Sequence, residues 1–394
     1  MVMIGDKKQD CCGCTACKSI CPTKAITMKA DEEGFLYPQI KHKLCSHCGL
    51  CRKVCAFQNG YDKSQNIEIP TAYAVKHKNM DIRLNSRSGG MFTAISDFVL
   101  KNSGVVYGVG YKDHFIVCHK RTTTKNQRDE LRGSKYVQSQ LDDIFMRLKK
   151  DLQENRWVLF SGTPCQTAGL NSFLDQANMK KDKLILCDII CHGTPTPKVW
   201  QDYLIFVENR YKGLITKVDF RNKELFGWHA HRETVEINGK IYDNNIYTKL
   251  FYKHDVLRPA CFNCKYTNMK RPSDITLADF WGIDDVIVGF NDDKGVSLVF
   301  TNTEKGKWIF EEVKDGLDFK ICTDTLFIHP NLKNPTKRPI DRDQFWEDYN
   351  EKGFEYILKK YACSSFKVRV KRVIVNLLMK LGLLGIIRKV MRRR

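Results

Sequence analysis

From residue 71 onward, short apolar runs alternate with longer stretches in which apolar residues recur at helical spacing. Residues 72–75 read as a strand. Residues 86–90 (SRSGG) form a tight loop opening a helix over 91–100, and 104–111 with 114–120 read as a hairpin. Residues 157–160 are a buried strand, 163–174 a loop and helix, and 184–190 another apolar strand. Residues 215–220 and the Asn238-Gly239 turn add antiparallel pieces. A late strand over 297–301 precedes a helix over 305–313. Strands interleaved with helices in this way predict a mixed α/β domain.

The pattern differs on either side. Residues 59–70 (NGYDKSQNIEIP) are polar and turn-rich and read as a linker. Residues 31–39 read as the strand or turn joining two halves of a front module. At the other end, 370–390 is rich in Val, Ile and Leu, with Arg369, Arg372, Asn376 and Lys380 on a narrow polar stripe of a helix. Its apolar stretch 373–387 is shorter than the roughly 20 residues a bilayer span needs. A basic amphipathic helix lying in an anionic membrane interface is the expectation, with a partner-packing helix as the other reading. The predicted organisation is therefore α+β: a front module over 1–60, a linker over 61–70, a mixed α/β domain over 71–345 and a basic helical tail over 346–394.

Composition changes this picture in two places. The chain of 394 residues carries a net charge of +20, half of it from ten Lys and Arg within 367–394, where there is no acid. No nucleic-acid recognition motif accompanies the charge, so nucleic acid is not an expected partner. The seventeen cysteines are the second. No charged-then-apolar segment opens the chain, so a cytoplasmic protein with reduced thiols is expected, peripheral to the inner face of the membrane if the tail binds there.

Eight cysteines repeat one phrase: Cys11-x2-Cys14-x2-Cys17-x3-Cys21 and Cys45-x2-Cys48-x2-Cys51-x3-Cys55. This is the bacterial two-cluster ferredoxin run, in which the fourth cysteine of each copy serves the other [4Fe–4S] cluster. A tight loop supplies three corners of a cubane but cannot turn back to supply the fourth. Cluster A is therefore assigned to Cys11, Cys14, Cys17 and Cys55, and cluster B to Cys45, Cys48, Cys51 and Cys21.

A further set lies in the α/β region. Cys165 follows a buried strand in SGTPCQ, Cys191 ends the next strand, and Cys261-x2-Cys264 sits on a loop. A lone C-x2-C also suits zinc. Beside a ferredoxin module, Cys165, Cys191, Cys261 and Cys264 are the best four for a third [4Fe–4S] cluster. Cys187 reads as a core residue, and Cys12, Cys118, Cys322 and Cys363 as structural. A nucleophilic thiol is the rival reading of Cys165, because a helix N-terminus lowers thiol pKa. The loops 86–90 and 132–139 (RGSKYVQS) would let an anionic cofactor approach the backbone. No G-x-G-x-x-G opens a strand–helix unit, so a Rossmann nicotinamide site is not expected.

SGG (88–90), GSKYVQS (133–139), SGTPCQ (161–166), CHGTP (191–195) and RPACFNC…RPSDITLADFWG (258–282) resemble the family of coenzyme F420 hydrogenase/dehydrogenase beta subunits, over roughly residues 70–330. The resemblance implies FAD contacted by Ser88, Gly89, Gly90, Ser134, Lys135, Tyr136 and Gln138, with an extra cluster on the four cysteines already chosen. The function expected is an iron–sulfur flavoprotein oxidoreductase that passes electrons between clusters, FAD and a small organic substrate or F420-like deazaflavin. The alternative is a non-catalytic protein of a larger redox complex that only transfers electrons. Expected partners are a redox protein or reduced electron carrier and the small-molecule substrate. On the substrate side the candidates are His192 as proton donor, Asp279 as orienting carboxylate and Trp281 as an aromatic wall.

Overall fold

The computed structural model describes residues 7–323 and 328–362. The chain divides into a large unit, residues 1–342, and a small one, 343–394. The predicted tail helix, with Cys363, lies outside the described residues.

Among the described residues the large unit has thirteen strands: β1 Ile26–Ala30, β2 Leu36–Ile40, β3 Thr71–His77, β4 Val105–Lys112, β5 Ile116–Thr122, β6 Val158–Gly162, β7 Leu184–Ile189, β8 Ile215–Asp219, β9 Thr234–Ile237, β10 Lys240–Asp243, β11 Ile275–Asp279, β12 Ser297–Thr301 and β13 Leu317–Cys322. Eight form one sheet in the order β13-β3-β12-β11-β7-β6-β4-β5. Its centre, β11-β7-β6-β4, is parallel, and its flanks pair antiparallel.

Alternation along each strand decides what packs on which face. Val106, Leu159 and Ile185 join Met91, Ala94, Ile95 and Val99 of helix Met91–Lys101 and Ile309 and Phe310 of helix Glu304–Val313 in one core. Their neighbours Val105, Tyr107, Val158, Phe160, Leu184 and Leu186 join a second core with helices Ile144–Gln153 and Pro164–Gln176. Burial on both faces is why the central strands read as continuous apolar runs.

The second core also contains Cys12, Cys14, Ala16, Val54, Ala56 and Phe57. The front segment is thus built into the body of the large unit. Ser172 Oγ donates to Val54 O at 2.9 Å. Gly169 leaves no room for a side chain, since a Cβ there would stand 2.6 Å from Cys14 Sγ. Residues 60–70 form no helix or strand and are held down: Tyr61 Oη donates to Asn268 Oδ1 at 3.1 Å, and Asn66 Nδ2 to Arg271 O at 2.9 Å.

The strands expected over 72–75, 157–160, 184–190 and 297–301, the 104–120 hairpin and all three helices are present with small boundary shifts. Residues 31–39 are not one strand. Asp31 Oδ1 accepts from the amides of Glu33 and Phe35, making a turn between antiparallel β1 and β2. β11, β13 and helices Ile144–Gln153 and Pro197–Tyr211 were not expected. β11 is short and ends in Ala-Asp, a weak strand signal that pairing with β7 and β12 overrides.

The helical segment Arg342–Ile357 breaks at Gly353, whose φ is 75°. Lys352, Lys360 and Tyr361 donate to the Asp348 carboxylate. No helix among the described residues is long and apolar enough to cross a membrane.

Candidate functional site

A cavity of about 290 Å³ opens at the carboxyl ends of the parallel strands. Ser161 and Gly162 end β6, Ile189 ends β7, Leu277 to Asp279 end β11, and Ser297 starts the antiparallel β12; all of them line it. Ligand sites of parallel sheets occupy this position because helices cover both faces and only the strand ends are open.

Of the predicted flavin contacts, Ser88, Gly90, Ser134, Lys135 and Tyr136 line the cavity. Gly89 and Gln138 do not. Gly89 is packed against strand backbone: its N–H donates to Ser297 Oγ at 2.9 Å, and a Cβ would stand 2.0 Å from Val75 O. Its missing side chain serves the fit of this loop to β3 and β12. Gln138 turns toward the front segment, where Nε2 donates to Cys12 O at 3.0 Å.

His192, Asp279 and Trp281 all line the cavity. Asp279 is engaged on both oxygens, by Arg221 Nη1 at 2.5 Å and Trp228 Nε1 at 3.0 Å. Trp281 stacks on Trp228, with ring centroids 5.0 Å apart, and lies under the Arg221 guanidinium. Burial pushes His192 down to about 4, assisted by His329, His254 and His231. Its ring is neutral at pH 7, and its centroid lies 5.0 Å from that of His329.

The cavity carries more cation than the sequence motifs announced. Arg87, Arg132 and Arg221 join Lys135 in its lining. Arg87 pairs with Asp219 and Arg221 with Asp279, yet the Nε of each is buried with no hydrogen-bond partner. Lys135 donates to Arg132 O at 2.8 Å, and burial, then Arg87 and Lys120, pulls it down to about 7. Arg221 and His231 come from the lobe built on the β10-β9-β8 sheet. No motif flagged them, because their relation to the cavity is purely three-dimensional.

Two small cavities are lined by cysteines. The front one, about 20 Å³, is ringed by Cys11, Cys14, Cys17 and Cys55, the four expected for cluster A, with Cys12 and Phe57 beside them. The second, about 30 Å³, is ringed by Cys165, Cys191, Cys261 and Cys264, again with Cys12 and Phe57. Cys12, expected to be structural, hydrogen-bonds both Cys14 and Cys165 and stands in the wall between the two. Backbone amides point at the second set: Gly193 N–H donates to Cys191 Sγ and Thr194 N–H to Cys261 Sγ, each at 3.4 Å. Cys191, His192, Gly193 and Thr194 line both the second pocket and the large cavity.

Among the described residues no three His, Cys, Asp or Glu side chains stand close enough to grip a single metal ion. A cubane does not ask for that, because its thiolates surround an inorganic core rather than a point. Burial pushes the thiols of Cys11, Cys17, Cys191 and Cys261 up. Such sulfurs become thiolates when a cationic core binds them. Cys165 is drawn down to about 7 by its hydrogen bond from Cys12, against burial. Its partners are Cys12 and Thr163, and no histidine hydrogen-bonds it among the described residues. That leaves a nucleophilic role without its base.

The cluster B cysteines sit differently. Cys51 stands close enough to Cys48 and Cys21 to feel their charge. Cys48 is exposed, and Cys21, Cys45 and Cys51 are half-buried. Lys24, Lys41, Lys43, Arg52 and Lys53 around them are exposed. Cys187 is fully buried in the sheet core.

Two regions of the chain match known families. Residues 155–324 match the family described as the C terminus of the beta subunit of coenzyme F420 hydrogenase/dehydrogenase. Residues 10–59 match the 4Fe-4S dicluster domain. The F subunit of the F(420)H(2) dehydrogenase of Methanosarcina mazei is 23% identical over 320 residues, covering 78% of this chain and 83% of the relative. A chain of the F420-reducing [NiFe] hydrogenase complex from Methanosarcina barkeri aligns with 73% of this chain and 91% of its own length, at 19% identity and a TM-score of 0.46. Residues 155–324 are thus similar to the C terminus of coenzyme F420 hydrogenase/dehydrogenase beta subunits, and residues 10–59 match a 4Fe–4S dicluster domain at the front of the chain.

Proposed function

We propose that this protein is an iron–sulfur flavoprotein that moves electrons between a carrier protein docked at its front loop and a small organic substrate or F420-like deazaflavin in its large cavity. One observation carries the reading: the sites share walls. Cys12 and Phe57 belong to both cysteine pockets, and Cys191 to Thr194 belong to both the second pocket and the large cavity. Cubanes held by Cys11, Cys14, Cys17 and Cys55, and by Cys165, Cys191, Cys261 and Cys264, would stand in sequence before the cavity. A cubane on Cys21, Cys45, Cys48 and Cys51 would stand at the surface, ringed by cations that suit an acidic carrier.

The cavity residues fit a flavin with phosphates. Two orphaned guanidinium Nε groups and Lys135 suit anionic oxygens, and Tyr136 and Trp281 supply aromatic walls. A bound flavin exchanges electrons singly with clusters and in pairs with an organic substrate. Ser88, Gly90, Ser134, Lys135 and Tyr136 would hold it. Arg221 and Trp228 fix the orientation of Asp279, so Asp279 positions rather than transfers a proton. A half-buried neutral imidazole at His192 would hold a proton donor's hydrogen bond at the cavity wall. The basic sequence 366–394 would attach the chain to an anionic membrane surface; sedimentation with anionic liposomes, lost on deleting 366–394, is expected.

Anaerobic purification of the full chain with iron, sulfide and flavin assays tests the reading. About twelve irons, twelve sulfides and one flavin are expected. Intact clusters that neither copurify with flavin nor take it up would make the chain a relay that only transfers electrons.

A further inference from the structure

Arg258 stands where the front segment meets the body, and it is 1% exposed. Its Nε donates to Cys11 O at 2.7 Å, Nη1 to Gln138 Oε1 at 2.9 Å, and Nη2 to Leu36 O at 2.9 Å and Cys11 Sγ at 3.7 Å. Its guanidinium lies 4.2 Å from the Tyr37 ring centroid, and the side chain also lines the second cysteine pocket. None of these oxygens belongs to a carboxylate. Among the described residues no acid pairs with Arg258. Other buried arginines have one: Arg271 with Asp188, Arg342 with Glu33, Arg83 with Asp292 and Arg128 with Asp97.

A buried cation needs a counter-charge. Arg258 Nη2 lies 3.7 Å from Cys11 Sγ, and the side chain lines the pocket of Cys165, Cys191, Cys261 and Cys264. The groups around it that can carry negative charge are therefore chiefly sulfurs of the two buried cysteine pockets.

We propose that Arg258 is the built-in counter-charge of the two buried cubanes and holds the reduction potential of the Cys11-side cubane above that of the exposed Cys45-side cubane. The inference rests on the cluster reading above. Reducing a four-thiolate cubane by one electron adds one negative charge, and a fixed cation with an N–H···S bond stabilises the reduced form more than the oxidised one. At the exposed site the lysines are solvated and their field is screened. Electrons entering at the surface would then run inward.

Anaerobic potentiometric EPR of the full chain, with iron counting, tests this in wild type, Arg258→Met and Gln138→Glu. The Cys11-side signal is identified by its loss in Cys14→Ser. Arg258→Met is expected to lower the midpoint of that signal and to leave the Cys45-side signal in place. Gln138→Glu keeps the guanidinium but sets a carboxylate against Nη1, and it is expected to lower the same midpoint by less. If Arg258→Met loses iron, the Gln138→Glu shift decides. Retained cubanes with unmoved midpoints, or one equal shift of all signals, would overturn the inference. A wild type lacking a cubane on Cys11, Cys14, Cys17 and Cys55 would overturn the cluster reading itself, and this inference with it.

Discussion

The two cysteine loops of the front segment repeat one spacing and one backbone course. Left-handed residues stand at matching places: Gly13 (φ 74°) and His47 (φ 53°) after the first cysteine, Thr15 (φ 65°) and Gly49 (φ 74°) after the second. The residue choices are reversed. A Cβ on Gly13 would meet Arg258 Nη1 at 2.8 Å and Gln138 Nε2 at 2.9 Å, whereas a Cβ on Gly49 would meet nothing within 4 Å. At position 47 an exposed histidine stands where its counterpart at 13 has no room for a side chain. The same turn is thus made twice, once against the protein body and once against water. Local geometry is shared, while burial, neighbouring charge and tolerance to change are not.

Substitution of the two glycines is the sharpest way to break this comparison. Gly13→Ala is expected to lose the buried cubane, about four irons, because Arg258 is held by four hydrogen bonds and cannot withdraw. Gly49→Ala should keep its iron and cost about 1–2 kcal/mol for the left-handed turn. Iron counts and melting curves check both, and equal losses would refute the asymmetry. Gly169→Ala, which drives a methyl toward Cys14, should behave like Gly13→Ala.

Oxidation sharpens the comparison. Cys48 is exposed and Cys14 buried, so air should bleach the clusters in two phases. The fast phase should remove about four irons and be missing from Cys48→Ser. A single phase common to all clusters would contradict it.

The cavity differs from both loops in depending on a titrating cation. Lys135, pulled down to about 7 chiefly by burial, is charged below that pH and neutral above it. Affinity for FAD should therefore fall as pH rises from 6 to 8.5, by about tenfold at most (about 1.4 kcal/mol). Lys135→Met should flatten the profile. Fluorescence quenching measures it, and an unchanged slope in the variant would remove Lys135 from the binding site.

The smallest effect is expected at the exposed rim. Replacing Lys41, Lys43 and Lys53 with Ala should slow electron transfer from an acidic carrier several-fold at low salt and hardly at all at high salt, since solvated charges mainly steer encounter. Stopped-flow rates at two ionic strengths distinguish steering from a salt-independent defect.

Much of the sheet was legible because strands buried on both faces, such as LILC at 184–187, have no solvent-facing polar side. β11 was not, since ITLAD becomes a strand only between β7 and β12. Of the cavity, Ser88, Gly90 and the 134–136 loop were visible through motif resemblance. Arg221 and His231 were not, because the loops of a separate three-stranded sheet meet the cavity only in the fold. Gly89 and Gln138 shared the motifs of the cavity loops yet face other neighbours, Gly89 the strand backbone and Gln138 the front segment.

The cysteine spacing by itself determined the repeated turns and which thiols can share a space, because a loop of a few residues has few conformations and its reach is short. Only the tertiary structure decided that one loop is enclosed and the other open, that Cys12 stands between two cysteine pockets, and that Arg258 lies beside Cys11 with no acid paired to it among the described residues. Burial and electric field at a point are sums over everything nearby, and the groups that enclose Cys11, Arg258 and Gln138 among them, lie more than a hundred residues away in the chain.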